Sequence, residues 1–218
     1  MRVFDEQKFD VYRSYLIANA KLSTLFEMPI LEGVDYKPNR AVPFDKIRNT
    51  MNFDQWVHFY IEDRKFECLW RNPKQYLGLL KKFNGVLTPD YSIYHNMPLP
   101  MQIWNAYRNR AIAFWLQNNG IKIVPNIRWG KEATYGFAFE GIRQGGTVAV
   151  GTSGCLRYNI DKFYFKKGLR EMVKTIRPAA IVCYSRMPVD VFGFCNDAGI
   201  ELINIQNYRD SIADRGIA

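Results

Sequence analysis

Charged side chains follow four apolar runs of the sequence, each where the run ends. Asp63 and Asp90 are the carboxylates of interest, and Arg128 and Arg186 carry the guanidinium groups. If these runs are neighbouring parallel strands, their carboxyl ends meet at one edge of the sheet, where α/β folds bind ligands. Two carboxylates facing two guanidinium groups could bind a phosphate, bind a divalent ion or transfer protons. For any one residue, a structural ion pair is the more ordinary interpretation, whereas the cluster as a whole favours a ligand site.

Other side chains at the same strand ends are candidate ligand contacts. Tyr91 and Trp129 could stack on a base or a sugar. If the protein is an enzyme, Asp63 and Asp90 are the candidate catalytic residues. The candidate ligand-binding residues are Tyr91, Ser92, Asn126, Arg128, Trp129, Thr152, Ser153 and Arg186.

The turn Gly151-Thr152-Ser153-Gly154 follows the apolar run at residues 147–150. It offers flexible backbone amides and two hydroxyl groups, which is how a protein builds a small anion site. It is neither a Walker loop nor a complete dinucleotide fingerprint. A plain strand-to-helix turn is therefore the simpler interpretation.

A predicted helix over residues 160–177 carries a cation at every fourth position. These residues are Lys162, Lys166, Arg170 and Lys174. Such a row could follow a nucleic-acid backbone. The solvated face of an outer helix has the same pattern, so this basic surface is a weaker candidate than the strand ends.

Charge and composition bound the class of protein. The 218 residues carry a formal charge of +9, and the whole excess lies after residue 54. Such a balance favours polyanionic partners, although it also serves solubility alone. With 48% hydrophobic and 23% charged residues, the chain is not of the disordered type.

The apolar runs, the first residues and the cysteine and histidine content of the sequence predict the compartment and the cofactors. No apolar run is long enough to span a membrane, and the charged first residues do not resemble a signal peptide. Four widely spaced cysteines and two histidines argue against a disulfide framework and a zinc site. We expect a protein of the bacterial cytoplasm without a membrane partner, and a divalent ion on the two aspartates as the one conceivable cofactor.

The elements that must position the site alternate between short apolar runs and helices after residue 54. Apolar runs without polar alternation predict strands that are covered on both faces, as in a parallel sheet. The predicted fold is α/β, a mostly parallel sheet of βα units closed as a partial or distorted (β/α) barrel. An open doubly wound sheet is the alternative, and both arrangements place ligands at the carboxyl ends of the strands.

Two regions are expected along the chain. Residues 1–54 form a helical and irregular extension packed on a core domain of βα repeats over residues 55–218. A 3.6-residue apolar period predicts a helix over residues 6–26. Prolines predict an irregular connection over residues 35–54.

Several strings that occur in order, over roughly residues 55–205, resemble a known family. They are Leu87-Thr88-Pro89-Asp90-Tyr91-Ser92, Met97-Pro98, Gln102-Ile103-Trp104-Asn105, Pro125-Asn126-Ile127-Arg128-Trp129-Gly130 and Gly151-Thr152-Ser153-Gly154-Cys155. The family is the domain of unknown function numbered 4417, found in phages and other bacterial mobile elements. The resemblance implies a phage or mobile-element protein and transfers no activity.

Three functions remain open at this point. The first is binding of a phosphate-bearing ligand, either a nucleotide or nucleic acid. The second is a metal-assisted hydrolase or nuclease that uses Asp63 and Asp90. The third is an inhibitor of a host protein, or a protein that sequesters a signal molecule, without catalysis. The sequence determines neither the oligomeric state nor the ligand.

Overall fold

The protein is an α/β structure with parallel strands, as the sequence predicts. The computed structural model describes residue 10 and residues 12–208. One sheet has the order β1 (Ala41–Pro43), β2 (Trp56–His58), β3 (Gly85–Leu87) and β4 (Ile123–Val124), and the other has β5 (Thr147–Gly151), β6 (Ala180–Tyr184) and β7 (Glu201–Ile205). A parallel bridge between Asn126 and Ala149 links β4 to β5.

Helices connect the successive strands from β2 to β7, because a parallel pair needs a crossover connection. They are α1 (Glu67–Arg71), α2 (Lys74–Leu80), α3 (Leu99–Asn118), α4 (Tyr135–Ala138), α5 (Asn159–Ile176) and α6 (Val189–Asp197). Short 3-10 turns occur at Ser14–Ile17, Phe44–Lys46, Asp63–Lys65 and Glu132–Thr134. No helix in the described part of the chain is both long and apolar enough to cross a membrane.

The central strands are covered on both faces, whereas four of the five residues of the edge strand β7 are exposed or half-buried. Every residue of β5 and β6 is buried, which explains their uninterrupted apolar sequences. On one face, side chains from all seven strands pack together, namely Ala41, Trp56, Leu87, Val124, Ala149, Val182 and Ile205. The opposite face packs against the helices in two further apolar clusters.

Strand order follows chain order within each sheet. A doubly wound sheet would instead reverse its order at a switch point. The strands do not form a closed barrel, since β1 and β7 are edge strands within the described residues. The partial-barrel closure stays a prediction.

Two expectations for residues 1–54 are wrong where the structure describes them. In the region expected as a helix over residues 6–26, the only helical turn among the described residues is Ser14–Ile17. Backbone with positive φ at Arg13 and Asn19 interrupts any longer helix. Residues 6–9 and 11 of that prediction lie outside the described residues.

The connection over residues 35–54 is not wholly irregular, because it contains β1. This strand pairs in parallel with β2, so the N-terminal region contributes an edge strand to the first sheet. Three residues are too few for a sequence period, which is why the pattern missed the strand. Pro43 is tolerated there because an edge strand need not donate every backbone hydrogen bond.

Candidate functional site

Two adjoining cavities open at the carboxyl ends of β2 to β5. The larger one, here called the strand-end cleft, has a volume of about 550 Å³, and its lining includes Tyr60, Asp63, Asp90, Ser92, Tyr94, Arg128 and Ser153. The smaller one, the inner cavity, has a volume of about 190 Å³, and its lining includes Tyr94, His95, Arg128, Trp129, Ser153, Cys155, Asp161 and Tyr164. Arg128 and Ser153 border both cavities, so one ligand can contact both through these residues.

A hydrogen-bonded chain of buried and half-buried polar side chains forms the wall between β2 and β4. The Tyr60 hydroxyl donates to Asn126 Oδ1 at 2.9 Å, and Asn126 Nδ2 donates to Asp90 Oδ1 at 2.8 Å. The other Asp90 oxygen accepts a bond from Arg128 Nη1 at 3.3 Å. Asp90 therefore orients the Arg128 guanidinium while leaving most of its donors for other partners.

The electrostatics of this wall keep Arg128 charged. Burial alone would lower the pKa of Arg128, but the neighbouring Asp90 carboxylate raises that pKa above its usual value. Burial raises the pKa of Asp90, against the opposing effects of Arg128 and of the bond from Asn126. Burial, followed by the charge of Asp90, also raises the pKa of Tyr60, which stays a neutral donor.

Asp63 also lines the cleft, at the start of a 3-10 turn. Its carboxylate accepts the Ser92 hydroxyl at 2.7 Å and the Ser92 backbone N–H at 3.0 Å. This pair ties the loop after β2 to the loop after β3. Asp63 and Asp90 thus line one cleft, as the sequence predicts, with different partners.

Side chains of helix α3 support this wall through hydrogen bonds. Asn109 Nδ2 donates to Thr88 Oγ1 at 3.2 Å, and Thr88 Oγ1 accepts the backbone N–H of Asn126 at 2.8 Å. Arg110, only 2% exposed, donates to Asn109 Oδ1 and to the carbonyl oxygens of Ala138 and Glu140. Burial lowers the pKa of Arg110 to about 9. Sequence reasoning missed this support, because polar residues at these helix positions resemble a solvated face.

The turn after β5 brings backbone and hydroxyl groups to the cavities. Gly151 is required here, since a Cβ atom would lie 2.4 Å from Cδ1 of the Tyr60 ring. Gly154 has a φ of 80°, which lets the chain reverse beside the inner cavity. Ser153 is exposed between the two cavities, whereas Cys155 is half-buried and burial raises the pKa of its thiol.

Three of the predicted ligand contacts line neither cavity. Thr152 is buried, and its hydroxyl donates to the carbonyl oxygens of Tyr184 and Arg186. Tyr91 is 1% exposed and its ring lies 4.0 Å from the Arg108 guanidinium, so it cannot stack on a ligand. The Arg186 side chain is exposed and lines neither cavity. The structure therefore brings only some of the predicted site residues together at the two cavities.

Trp129 is buried and belongs to the lining of the inner cavity. The ring packs 5.1 Å from Phe165 and against Gly168 of α5. Asn126 is also buried and acts within the wall. Trp129 and Asn126 therefore support the walls of the site as buried residues.

His95 and Asp161 lie in contact in the lining of the inner cavity, which the sequence did not reveal. His95 Nδ1 lies 3.2 Å from Asp161 Oδ1, and the imidazole ring stacks on Tyr164 with centroids 5.4 Å apart. His95 belongs to the loop before α3, and Asp161 is the third residue of α5. Only the fold brings the two together, since no local spacing connects them.

His58 is a core residue, as its place in a buried strand indicates. Its Nδ1 accepts the backbone N–H of Tyr60 at 3.2 Å, and its ring lies 4.2 Å from that of Tyr184. Its Nε2 atom has no hydrogen-bond partner among the described residues. Burial lowers the pKa of His58 to about 3, so the side chain is neutral at pH 7.

The basic surface of α5 is largely engaged in ion pairs. Lys162 and Lys166 lie 2.8 Å and 3.6 Å from the carboxylate of Asp190, and Lys174 lies 3.5 Å from Glu171. The guanidinium of Arg170 lies 4.3 Å from the centre of the Phe194 ring. These contacts reduce the charge that the row presents to a polyanion.

No three histidine, cysteine or acidic side chains are placed to hold a metal ion within residues 10 and 12–208. Asp63 and Asp90 border the strand-end cleft together with Arg128 and a third carboxylate, Glu62. Because Asp63 and Asp90 have different hydrogen-bond partners, a divalent-ion site between them stays a proposal.

These features define the class of the protein, which is an α/β protein with a polar cleft at the ends of its strands. The chain belongs to the family described as "Domain of unknown function (DUF4417)", whose profile matches residues 20–204. It is 32% identical over 183 residues to the Gene 1 protein of Mycobacterium phage L5, covering 83% of this chain and 79% of that protein. It is 29% identical over 196 residues to the Gene 1 protein of Mycobacterium phage D29, covering 88% of this chain and 70% of that protein.

The family resemblance read from the sequence motifs is thereby confirmed. The matched region begins at residue 20, so it includes β1 and much of the N-terminal region. No solved structure matches the chain.

Proposed function

We propose that the strand-end cleft and the inner cavity together bind a small phosphate-bearing ligand of the nucleotide class, in a phage or mobile-element protein. The observation that carries the proposal is the position of Arg128, whose side chain borders both cavities at the carboxyl ends of the strands. Parallel α/β folds bind their ligands at these ends. The phage origin of the similar Gene 1 proteins supports the biological setting.

Arg128 suits a phosphate because of how it is held. Its guanidinium has five N–H donors, and its ion pair with Asp90 occupies a single contact at 3.3 Å. A partly buried guanidinium interacts with an anion more strongly than an exposed one, because less water screens the charge. The ion pair fixes the direction of the side chain, which lowers the entropy lost when a ligand binds.

The neighbouring groups fit the rest of a nucleotide. The exposed Ser153 hydroxyl and the adjoining backbone at Gly154 lie beside Arg128 in the inner cavity, where a phosphate would sit. Tyr94 is more than half exposed and borders both cavities, so its ring is available to stack on a base. The wider cleft then accommodates the base and sugar.

A nucleotide is favoured over nucleic acid by the ion pairs of α5. Lys162 and Lys166 already lie against Asp190, so the strongest candidate for a backbone-binding row is partly neutralised. The two cavities are discrete, whereas polyanion binding usually follows an extended basic surface. Single-stranded DNA is therefore expected to bind more weakly than a nucleotide.

Isothermal titration calorimetry with ADP, GDP, inorganic phosphate and a single-stranded oligonucleotide tests the proposal. The perturbation is the double substitution Asp90→Asn/Arg128→Gln, which removes both charges and leaves neither buried alone. The matched control is Glu32→Gln/Arg143→Gln, which removes an exposed ion pair at 3.4 Å. We expect a nucleoside diphosphate to bind the wild type, with affinity reduced at least about tenfold in the first variant and unchanged in the control. Absence of binding to the wild type, or equal binding to both variants, would contradict the proposal.

A second candidate is a metal-assisted hydrolase or nuclease that uses Asp63 and Asp90. The specific observation in its favour is that both carboxylates border one cleft, and that the charge of Asp63 contributes to the raised pKa of Asp90. A divalent ion between them would remove that repulsion. Magnesium-dependent cleavage of DNA or ADP that disappears in Asp63→Asn would support this candidate. Cleavage that survives Asp63→Asn and Asp90→Asn, each as a single substitution, would exclude it. Binding without any turnover would favour a sequestering protein or an inhibitor of a host factor.

A further inference from the structure

We propose that the inner cavity is hydrolytic, with His95 as the general base that activates water and Asp161 as the residue that positions His95. The substrate class is a nucleoside diphosphate, whose terminal phosphoanhydride bond is cleaved. This inference rests on the proposed function, because it assigns Arg128 to the phosphate of the same ligand. It adds a reaction and two residues that nucleotide binding alone does not require.

The contact between His95 and Asp161 orients the imidazole. Nδ1 lies 3.2 Å from a carboxylate oxygen, so Asp161 is placed to accept a hydrogen from Nδ1 while Nε2 accepts one from water. Stacking on Tyr164, with ring planes 26° apart, holds the ring in place. Acid–base catalysis needs a base held in this way.

Access to both water and substrate is retained. The His95 and Asp161 side chains are 30% and 29% exposed, in contrast to the buried His58. His95 and Arg128 border one cavity of about 190 Å³, so a base and an anion-binding group lie in the wall of the same small space. A contact that only fastened the loop before α3 to α5 would not need to face this cavity.

The cavity also separates the reacting group from the rest of the ligand. Its lining combines Arg128, Ser153 and the His95–Asp161 pair with the apolar rings of Trp129 and Phe165. A terminal phosphate and one water fit this mixture of polar and apolar walls, while the base and sugar occupy the strand-end cleft. Partial exclusion of solvent strengthens the interaction between Arg128 and the phosphate.

The reaction balances without a further reactant. His95 Nε2 accepts a proton from water as the water oxygen forms a bond to the terminal phosphorus. The bond between that phosphorus and the bridging oxygen breaks, and the bridging oxygen keeps the electron pair on the departing nucleoside monophosphate, which is protonated by solvent. Arg128 binds the non-bridging oxygens, and the imidazolium returns its proton to solvent. The products are inorganic phosphate and the monophosphate.

The experiment measures phosphate release and binding in parallel, with ADP and GDP as the probes. We expect the wild type to release phosphate, and His95→Gln to lower the turnover number about 100-fold or more while the dissociation constant changes less than about threefold. Asp161→Asn should lower turnover about tenfold or more, as loss of an orienting partner does. Asp190→Asn is the matched control, since Asp190 is also an acidic residue in the first turn of a helix, and it should leave turnover unchanged.

Chemical rescue distinguishes a base from a structural contact. In His95→Gly, added imidazole should restore part of the lost phosphate release, because free imidazole can occupy the vacated space and accept the proton. Wild-type protein that binds a nucleoside diphosphate without releasing phosphate would overturn the hydrolytic inference and leave the proposed function standing. Failure of the wild type to bind would overturn both. Full turnover in His95→Gln, or joint loss of binding and turnover without rescue by imidazole, would assign His95 a structural role and overturn the inference.

Discussion

Gly168 in α5 offers a sharp test of how this helix packs against the site. A Cβ atom at this position would lie 2.1 Å from Cδ1 and Nε1 of the Trp129 indole. Ordinary contact between such atoms requires about 3.5–4.0 Å. The Gly168→Ala substitution must therefore displace either the tryptophan or the helix, and both border the inner cavity.

The magnitude follows from two opposing effects. Alanine in place of glycine inside a helix ordinarily stabilises a protein by about 1 kcal/mol. Overpacking of a close-packed contact costs about 1–3 kcal/mol, and an overlap of this size belongs at the upper end of that range. We expect Gly168→Ala to lower the free energy of unfolding by about 2 kcal/mol, which lowers Tm by about 4–8 °C for a chain of this length.

Gly78→Ala in α2 is the matched control for thermal and urea unfolding. No atom lies within 4 Å of a Cβ atom at Gly78, so this variant should gain up to about 1 kcal/mol from helix propensity alone. Opposite signs for the two variants are the expected result. A Gly168→Ala protein as stable as the wild type would refute the close contact between α5 and Trp129.

Two further predictions concern buried ionisable groups. Because burial lowers the pKa of His58 to about 3, the folded protein excludes a proton that the unfolded chain binds below its ordinary pKa of about 6.5. The free energy of unfolding should fall by about 2 kcal/mol as the pH is lowered from roughly 7.5 to roughly 5. In urea titrations, His58→Gln should remove this part of the pH dependence. Identical pH dependence in both proteins would show that His58 is protonated when folded. Arg110→Met leaves three acceptors without their donor and should lower the free energy of unfolding by about 2–4 kcal/mol in the same titrations. The control Arg143→Met, at an exposed position, should change the free energy of unfolding by less than about 0.5 kcal/mol. Equal effects of these two arginine substitutions would contradict the structural role of Arg110.

The alternation of strands and helices could be predicted because burial on both faces leaves a direct trace in the sequence. The run at residues 180–184 is apolar at every position, and the structure buries every residue of β6. β1 and the five-residue α1 left no such trace, because neither is long enough to show a period. The helix expected over residues 6–26 failed for the opposite reason, since an apolar period is present while the backbone at Arg13 and Asn19 departs from helical geometry.

The site could be predicted only as far as strand ends determine it. Asp63, Asp90 and Arg128 meet because each directly follows a parallel strand or its short extension. Arg186 also follows a strand, yet its side chain points to solvent, and the sequence does not specify that direction. His95 meets Asp161 through the packing of a loop on α5, which no spacing along the chain encodes.

A crystal structure of the protein with ADP tests most directly whether Arg128 binds the phosphate of a ligand at the strand ends. The expected result is a phosphate group within hydrogen-bond distance of the Arg128 guanidinium and beside Ser153, with the base in the strand-end cleft. Well-ordered ADP on the outer face of α5 at Lys162 and Lys166, with both cavities free of it, would contradict this assignment.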